Sequence, residues 1–282
     1  MKKISVLESY DVFTKERVVL HEFDGVIEAP NWLSDGKTIL FNSNGKLYKF
    51  DMENQVTSQV DTGACDKCNN DHVLSPGNDR IGISCRSEEN GENVSRIYIL
   101  PISGGTPEMV VKKGPSYLHG WSYDGKKLAY CAFRDDKVDI YTCVLGEDTE
   151  ERLTDGLGYN DGPEYDPKDE HIWFNSTRNG LMQIFRMECD GRNMEQMTHQ
   201  NSNNWFPHIS PDREKVVYLS FCKEDLEPWQ HVQDKNVSLW IMDYNGKNKQ
   251  EIVKLFGGQG TINVNSWSPD SRKIAFVSYK YI

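Results

Sequence analysis

Two histidines occupy the same place in a recurring sequence pattern and could share a ligand. His72 and His119 each lie three residues before a turn that recurs along the chain. Neutral imidazoles bind divalent metal ions, and a neighbouring carboxylate, Asp161 or Glu28, would add an oxygen ligand. Two ordinary hydrogen-bonded histidines would give the same pattern. A metal site at His72 and His119 is therefore one of two interpretations.

Other polar side chains fill the same or adjacent places in the remaining copies. Asn31 and Asn265 occupy the position of the two histidines, and His208 is one position away. The alternation of a strand would point His208 between strand layers unless a bulge shifts it. This candidate ligand-binding set comprises Glu28, Asn31, His72, His119, Asp161, Asn204, Trp205, His208 and Asn265. Such residues could bind a small ligand, or could hold strand ends and buried water.

Cations recur at a second position, eleven or twelve residues after the turn. They are Arg86, Arg134, Arg178 and Lys280. The planar guanidinium group matches a carboxylate in shape and charge, so the three arginines predict an anion site. Surface ion pairs with nearby acidic residues are the alternative interpretation.

The elements that position these residues follow from six copies of one pattern. Each copy has an apolar residue, Ser or Asp, often Pro, then Asp-Gly or a related pair, and then a short apolar strand. The Ser or Asp stands at positions 34, 75, 122, 166, 210 and 268, at spacings of 41, 47, 44, 44 and 58 residues. Repeats of this length with short β-runs are typical of propeller blades. The sequence therefore predicts an all-β, six-bladed propeller with four-stranded antiparallel blades.

The two ends of the chain complete each other. The sixth copy stops after its second strand, and two further strands precede the first copy, at about residues 4–12 and 17–21. We therefore expect residues 1–22 and 262–282 to form the closing blade of a single domain spanning residues 1–282. Such closure leaves no central strand edge exposed.

Composition limits the class of partner. The 282 residues include 32 Lys and Arg against 43 Asp and Glu, a net charge of −11, which disfavours nucleic acid. No apolar run reaches the ~18 residues of a membrane span, so no membrane insertion is expected. The first residues lack the apolar segment of a secretory signal, which predicts a cytoplasmic protein. An odd number of cysteines, seven, agrees with reduced thiols.

The repeat resembles that of the TolB-like six-bladed propellers over nearly the whole chain. The resemblance is carried by WSPDS at residues 267–271 before an apolar strand, and by NSTRNG at residues 175–180 before QIF. The repeat is also similar to the propeller of oligogalacturonate lyase, a metal-dependent enzyme that acts on pectin fragments. The first resemblance implies a binding role, and the second implies a divalent metal and a carbohydrate substrate.

Three functions follow from these observations. The leading hypothesis is a cytoplasmic, TolB-like propeller that binds a small, anionic ligand or a protein partner at the channel mouth. A metal-dependent enzyme acting on acidic sugars is the second, and a pure protein-interaction scaffold is the third. The longest insertion, residues 222–236, follows a second strand and is expected to cover the same face as a lid or a partner contact.

Overall fold

The structure is a ring of antiparallel β-sheets around a central channel. It is a computed structural model that describes residues 1–89 and 91–282, and within them six sheets are formed. This confirms the predicted six-bladed propeller. None of the described residues belongs to a helix with the length and apolar character needed to cross a membrane.

Blades 1 to 5 each contain four strands in chain order from the channel outwards. Blade 1 contains β3 (Glu28–Trp32), β4 (Thr38–Ser43), β5 (Lys46–Asp51) and β6 (Val56–Gln59). Blade 2 contains β7 (Cys68–Leu74), β8 (Arg80–Glu89), β9 (Glu92–Pro101) and β10 (Glu108–Val111). Blade 3 contains β11 (Ser116–Trp121), β12 (Lys127–Arg134), β13 (Lys137–Val144) and β14 (Glu151–Arg152). Blade 4 contains β15 (Asn160–Tyr165), β16 (His171–Ser176), β17 (Gln183–Glu188) and β18 (Glu195–Gln196). Blade 5 contains β19 (Ser202–Ile209), β20 (Lys215–Cys222), β21 (Gln233–Asp243) and β22 (Gln250–Gly258).

Blade 6 joins the two ends of the chain. It contains β23 (Lys273–Tyr281), β1 (Lys3–Asp11) and β2 (Arg17–Asp24). A short 3-10 helix, Gln259–Thr261, leads into this blade, and Trp267 forms a single bridge with Ile274 in place of a full innermost strand. Strand β1 pairs with β23 along its whole length and with β2 on its other side. The amino-terminal strands therefore complete the last blade, as predicted.

The recurring turn is a hydrogen-bonded unit. Ser268 Oγ donates to Asp270 Oδ1 (2.6 Å) and accepts a hydrogen bond from the Lys273 amide (2.8 Å). Equivalent bonds join Ser122, Asp124 and Lys127, and join Ser210, Asp212 and Lys215. The repeat that identifies the fold is thus a device for turning between the first two strands of a blade.

The core lies between neighbouring blades. Trp205, Phe221 and Leu239 of blade 5 belong to the same buried cluster as Trp267 and Phe276 of blade 6. Apolar faces of adjacent sheets interdigitate in this way because each blade has two faces to cover. The rigid ring that results holds the inner strands and their loops in fixed positions around the channel.

Deleting residues 1–22 should destroy the fold. The deletion removes β1, leaving the backbone groups of β23 unpaired and the core contacts of Leu7 and Tyr10 lost. We expect a product that aggregates or lacks a cooperative melting transition, measured by size-exclusion chromatography and calorimetry. Removal of residues 1–2 alone, outside β1, is the matched control and should melt like the full chain. A soluble, cooperatively melting deletion of 1–22 would contradict ring closure.

Candidate functional site

Bulges in the innermost strands decide which side chains reach the channel mouth. In β15 the pairing shifts between Asp161, opposite Asn175, and Glu164, opposite Trp173. Gly162 adopts a positive φ of 62° in this bulge, and a Cβ there would lie 2.6 Å from Asn175 Oδ1. A larger residue would therefore clash. The strands β3, β7, β11 and β19 also contain a change of register in their pairing with the next strand.

A cavity of about 210 Å³ opens at the mouth where the inner strands begin. We call it the mouth cavity. Its lining comes from inner strands of blades 2 to 5, from β12, from the segment before blade 6 and from the insertion of blade 5. It is lined by Asn69, Asp71, Tyr117, His119, Cys131, Phe133, Tyr159, Asp161, Phe206, His231, Gln259 and Asn263.

One side of the mouth cavity is aromatic. The rings of Tyr117 and Phe133 meet edge to face at 6.2 Å between centroids, and Phe133 meets Tyr159 at 6.4 Å. Phe206 stacks on the imidazole of His119 at 5.9 Å. Edge-to-face and stacked rings of this kind support each other. The wall is therefore rigid and presents apolar surface to a bound group.

The floor is acidic. His119 Nε2 lies 3.3 Å from Asp161 Oδ1 and 3.6 Å from Asp71 Oδ1, and all three side chains are buried. Asn263 Nδ2 donates to Asp71 Oδ1 (2.6 Å), and the Gly162 amide donates to Asp161 Oδ1 (2.7 Å). In the described part of the chain neither carboxylate forms an ion pair with Lys or Arg. One imidazole thus faces two buried carboxylates.

The pKa values of these groups reflect that imbalance. Burial opposes protonation of His119, but Asp71 and Asp161 outweigh it and raise the pKa of the imidazole. Burial also disfavours ionisation of Asp161, yet the hydrogen bond and charge of His119 lower its pKa to about 2. For Asp71, burial dominates and raises the pKa of the carboxyl. With His119 protonated and both carboxyls ionised, the floor still carries an excess negative charge.

A cysteine joins the same cluster. Cys131 on β12 pairs with Tyr117 on β11, and its side chain is buried. One ligand atom from each of His119, Cys131 and Asp161 lies within 4.8 Å of the other two. Burial and the charge of Asp161 raise the pKa of the Cys131 thiol. The sequence indicates only that the cysteines are reduced, and the place of Cys131 at the floor was not predicted.

The blade 5 insertion folds over the mouth. The ring of His231 lies 4.3 Å from that of Trp205 and 5.5 Å from that of Phe206, measured between centroids. Its Nδ1 is buried without a hydrogen-bond partner among the described residues. Trp229 points outwards and is 52% exposed. The insertion therefore places one ring inside the mouth cavity and another in solvent.

Comparison with known proteins identifies the repeat. A family model described as the TolB beta propeller domain matches residues 88–228. The chain is 43% identical over 276 residues to an uncharacterized protein of Agrobacterium fabrum, covering 98% of this chain and 92% of that protein. The chain belongs to the TolB β-propeller family. A solved structure of a TolB candidate from Agrobacterium tumefaciens is 42% identical to this TolB-family chain, with a TM-score of 0.94 and 99% of each chain covered.

More distant relatives of this TolB-family chain share the fold. The Tol-Pal system protein TolB of Francisella tularensis is 22% identical over 274 residues, which cover 94% of this chain and 59% of that protein. This chain therefore spans less than two thirds of that relative. An oligogalacturonate lyase solved in complex with manganese is 13% identical, covers 97% of this chain and 90% of its own, and has a TM-score of 0.54. At that identity the likeness shows the fold alone.

His72 and His119 occupy equivalent positions in neighbouring blades, but the structure does not place their side chains in one cluster. His72 is fully buried, its Nδ1 donates to Asn31 Oδ1 (2.8 Å), and burial lowers its pKa to about 3. It contributes no ligand atom to the group formed by His119, Cys131 and Asp161 among the described residues. Of the two histidines predicted to share a ligand, only His119 therefore belongs to this group.

The first copy of the repeat is also shifted by one residue from the sequence alignment. The turn of blade 1 starts at Leu33, whose carbonyl accepts from Gly36 (3.1 Å), where other copies use Ser or Asp. Asn31, opposite Leu40, is therefore equivalent to Glu164 and His208 rather than to His72. The predicted equivalence of Asn31 with the histidines is wrong because the first turn lacks the serine at its start.

His208 and Asn265 belong to a network deeper in the channel. His208 donates from Nδ1 to Glu164 Oε2 (2.7 Å) and from Nε2 to the Ile262 carbonyl (2.9 Å). Asn265 Nδ2 donates to Glu164 Oε1 (2.6 Å), and its carbonyl accepts from Asn31 Nδ2 (2.7 Å). The bulge at residues 206–207 turns His208 towards the channel. A strand without a bulge would have pointed His208 between strand layers, and that orientation is not found.

The remaining polar candidates lie beside the mouth cavity. Asn204 Nδ2 donates to Gln183 Oε1 (3.1 Å) between blades 4 and 5, and Trp205 is buried behind Phe206. Glu28 accepts hydrogen bonds from Gln233 and Asn42, and burial raises its pKa. The charge of Asp71 also raises the pKa of Glu28. The set predicted for one site is therefore divided between the mouth, the channel and the spaces between blades.

The predicted ring of cations is not assembled. Arg178 pairs with Asp155 (3.2 Å), and Lys280 pairs with Glu22 (2.7 Å). Arg134 binds both oxygens of Glu150 (2.9 and 2.8 Å) and backbone carbonyls of blade 3. Arg86 is exposed, and its charge opposes the rise in the pKa of Tyr117 that burial causes. Equal spacing along the sequence thus produced three structural ion pairs and one rim residue, not an anion site.

The Arg134–Glu150 pair gives the protein a defined response to acid. Burial opposes ionisation of Glu150, but Arg134 lowers its pKa to about 2. Because the pKa of Glu150 is lower in the folded state, the ionised carboxylate stabilises the fold at pH values above the unfolded-state pKa of about 4.5. This stabilisation is lost as the pH falls from about 4.5 through the folded-state pKa. Glu150→Gln should cost about 1–2 kcal/mol at about pH 7, discounted for partial exposure, and almost nothing near pH 2.

Urea unfolding of the Glu150→Gln variant and the unmodified chain at several pH values measures this difference. Glu195→Gln breaks the exposed Arg186–Glu195 pair and is the matched control, with an expected change below about 0.5 kcal/mol. An equal loss of stability for Glu150→Gln at neutral and acidic pH would show that the lost interaction is not ionic.

Proposed function

We propose that this TolB-family propeller is a binding protein whose mouth cavity takes a positively charged ligand. The single observation that carries the proposal is the floor, where Asp71 and Asp161 are buried around one imidazole without a Lys or Arg partner among the described residues. An uncompensated buried charge costs free energy, and a cation that enters the cavity recovers it.

The aromatic wall supports the same ligand class. The faces of aromatic rings attract ammonium and guanidinium groups, and the attraction grows when water is excluded. Tyr117, Phe133, Tyr159 and Phe206 line the same cavity as the two carboxylates, and so does His231 of the insertion. A volume of about 210 Å³ accommodates one such group or a metal ion with its water ligands.

The charge of the mouth argues against the anionic ligand expected from the arginines. A carboxylated sugar would bring a like charge against Asp71 and Asp161, which is unfavourable in a buried site. Three of the four cations expected to bind that anion are paired elsewhere. The same argument disfavours an enzyme that acts on acidic sugars.

The cation could come from a small molecule or from a side chain of a protein partner. Relatives in Francisella are named Tol-Pal system protein TolB, which supports a protein as one source. The exposed Trp229 beside the mouth offers contact area for such a partner. Both sources present the same chemistry to the floor, and free amines and lysine-containing peptides distinguish them.

Thermal unfolding with a panel of cations tests the proposal. A bound cation at about one hundred times its Kd should raise the melting temperature by about 5 °C. The panel contains spermidine, arginine amide, a lysine-containing peptide and divalent metal ions, with sodium uronate as the anionic comparison. Asp161→Asn should abolish the shift because it removes the excess negative charge of the floor.

Asp155→Asn is the matched control, because Asp155 is an exposed carboxylate paired with Arg178 away from the floor. It should leave the cation-induced shift unchanged. Shifts of the same size in Asp161→Asn and in the unmodified chain, or no shift with any cation, would contradict a cationic ligand. A shift with uronate alone would restore the anionic hypothesis.

A further inference from the structure

We propose that the mouth cavity holds a divalent metal ion of borderline softness, such as Zn²⁺ or Co²⁺, bound by His119, Cys131 and Asp161. The inference rests on the proposed function, since it identifies the class of cation that the floor binds. It uses one histidine of the pair expected from the sequence and two residues from other positions in blades 3 and 4.

The geometry of the three side chains is close to that of a metal site. His119 Nε2 and Asp161 Oδ1 are 3.3 Å apart, and the ligand atoms of all three residues lie within 4.8 Å of one another. Ligands about 2.0–2.3 Å from a tetrahedral ion are separated by roughly 3.3–3.8 Å. Small side-chain rotations therefore suffice to bring these atoms around one ion.

Two further groups are available to the ion. Asp71 Oδ1 lies 3.6 Å from His119 Nε2, and both residues line the same cavity. His231 lines the cavity from the insertion, and its buried Nδ1 has no hydrogen-bond partner among the described residues. His231 and Asp161 line the same cavity. A fourth ligand can come from either residue or from water.

A second acidic cluster in the structure has its negative charge neutralised by an arginine of the chain. Asp166, Glu170 and His171 also bring three ligand atoms within 4.8 Å. There, Arg213 forms ion pairs with Asp166 (2.7 Å) and with Glu170, so a cation of the chain already occupies the group. The floor of the mouth cavity has no such Lys or Arg contact in the described residues. A bound ion would play the part that Arg213 plays in the second cluster.

The donor atoms select the metal. A thiolate, an imidazole and a carboxylate suit Zn²⁺ and Co²⁺, whereas Mn²⁺ prefers oxygen ligands. The manganese of the structurally similar oligogalacturonate lyase therefore does not match this set of side chains. Binding converts the Cys131 thiol to a thiolate and releases its proton to the buffer, together with the proton of His119 where that imidazole is charged.

Cobalt absorption tests the site directly. Chelator-treated protein is titrated with Co²⁺ in a Cys222→Ser background, because Cys222 is an exposed thiol outside the cavity. We expect one equivalent of Co²⁺ to produce a thiolate-to-cobalt charge-transfer band and the intense visible bands of a tetrahedral ion. Added Zn²⁺ should remove both.

The variant Cys131→Ser should lose the charge-transfer band and bind Co²⁺ at least tenfold more weakly. Cys143→Ser changes another buried cysteine of blade 3, outside the mouth cavity, and is the matched control that should keep the band. Cys131→Ala is a second variant, and circular dichroism of each shows that it is folded.

Other outcomes separate this inference from the proposed function. Cobalt binding without a thiolate band, or a band that persists in Cys131→Ser, would overturn the assignment of Cys131. Spermidine or arginine amide that stabilises the protein while Co²⁺ and Zn²⁺ do not bind would overturn the metal site and leave the cationic ligand intact. Failure of every cation would overturn both.

Discussion

The charge of the channel mouth depends on bulges in the inner strands of the propeller. A regular strand would alternate side chains strictly between its two faces, and the polar residues of neighbouring blades would not converge. The register shifts in β7, β11 and β15 instead bring Asp71, His119 and Asp161 together over one floor. Gly162 permits the last of these shifts, because a Cβ would clash with Asn175. Backbone geometry thus creates the electrostatic site.

The burial of those carboxylates also explains why the mouth differs from the rest of an acidic protein. Other buried or half-buried carboxylates meet cations of the chain, as Glu150 meets Arg134 and Asp166 meets Arg213. At the mouth the nearest opposite charge is an imidazole shared between two carboxylates. In the proposed function, a cation from outside the protein relieves this imbalance, and the aromatic wall and the insertion limit the access of water to that cation.

The sequence predicted the fold well because the repeat encodes the turns. Ser, Asp and the following apolar strand recur at spacings of 41 to 47 residues, and at 58 where blade 5 carries its insertion. The missing strands of the last blade are found at the other end of the chain. The site was harder to predict, because side-chain direction at a bulge cannot be read from spacing. Asp161 and His119 were recognised as candidates, but Cys131 lies in a strand buried on both faces and carries no signal of its position. Arg134 shares a spacing with Arg178, and yet it pairs with Glu150 whereas Arg178 pairs with Asp155.

Diffraction from crystals grown with Co²⁺, recorded at the cobalt absorption edge, tests most directly the central claim that the acidic floor of the mouth cavity binds a metal ion. The account predicts an anomalous peak in the mouth cavity, within bonding distance of His119 Nε2, Cys131 Sγ and a carboxylate oxygen of Asp161. Peaks confined to surface residues, with only water over Asp71 and Asp161, would contradict it.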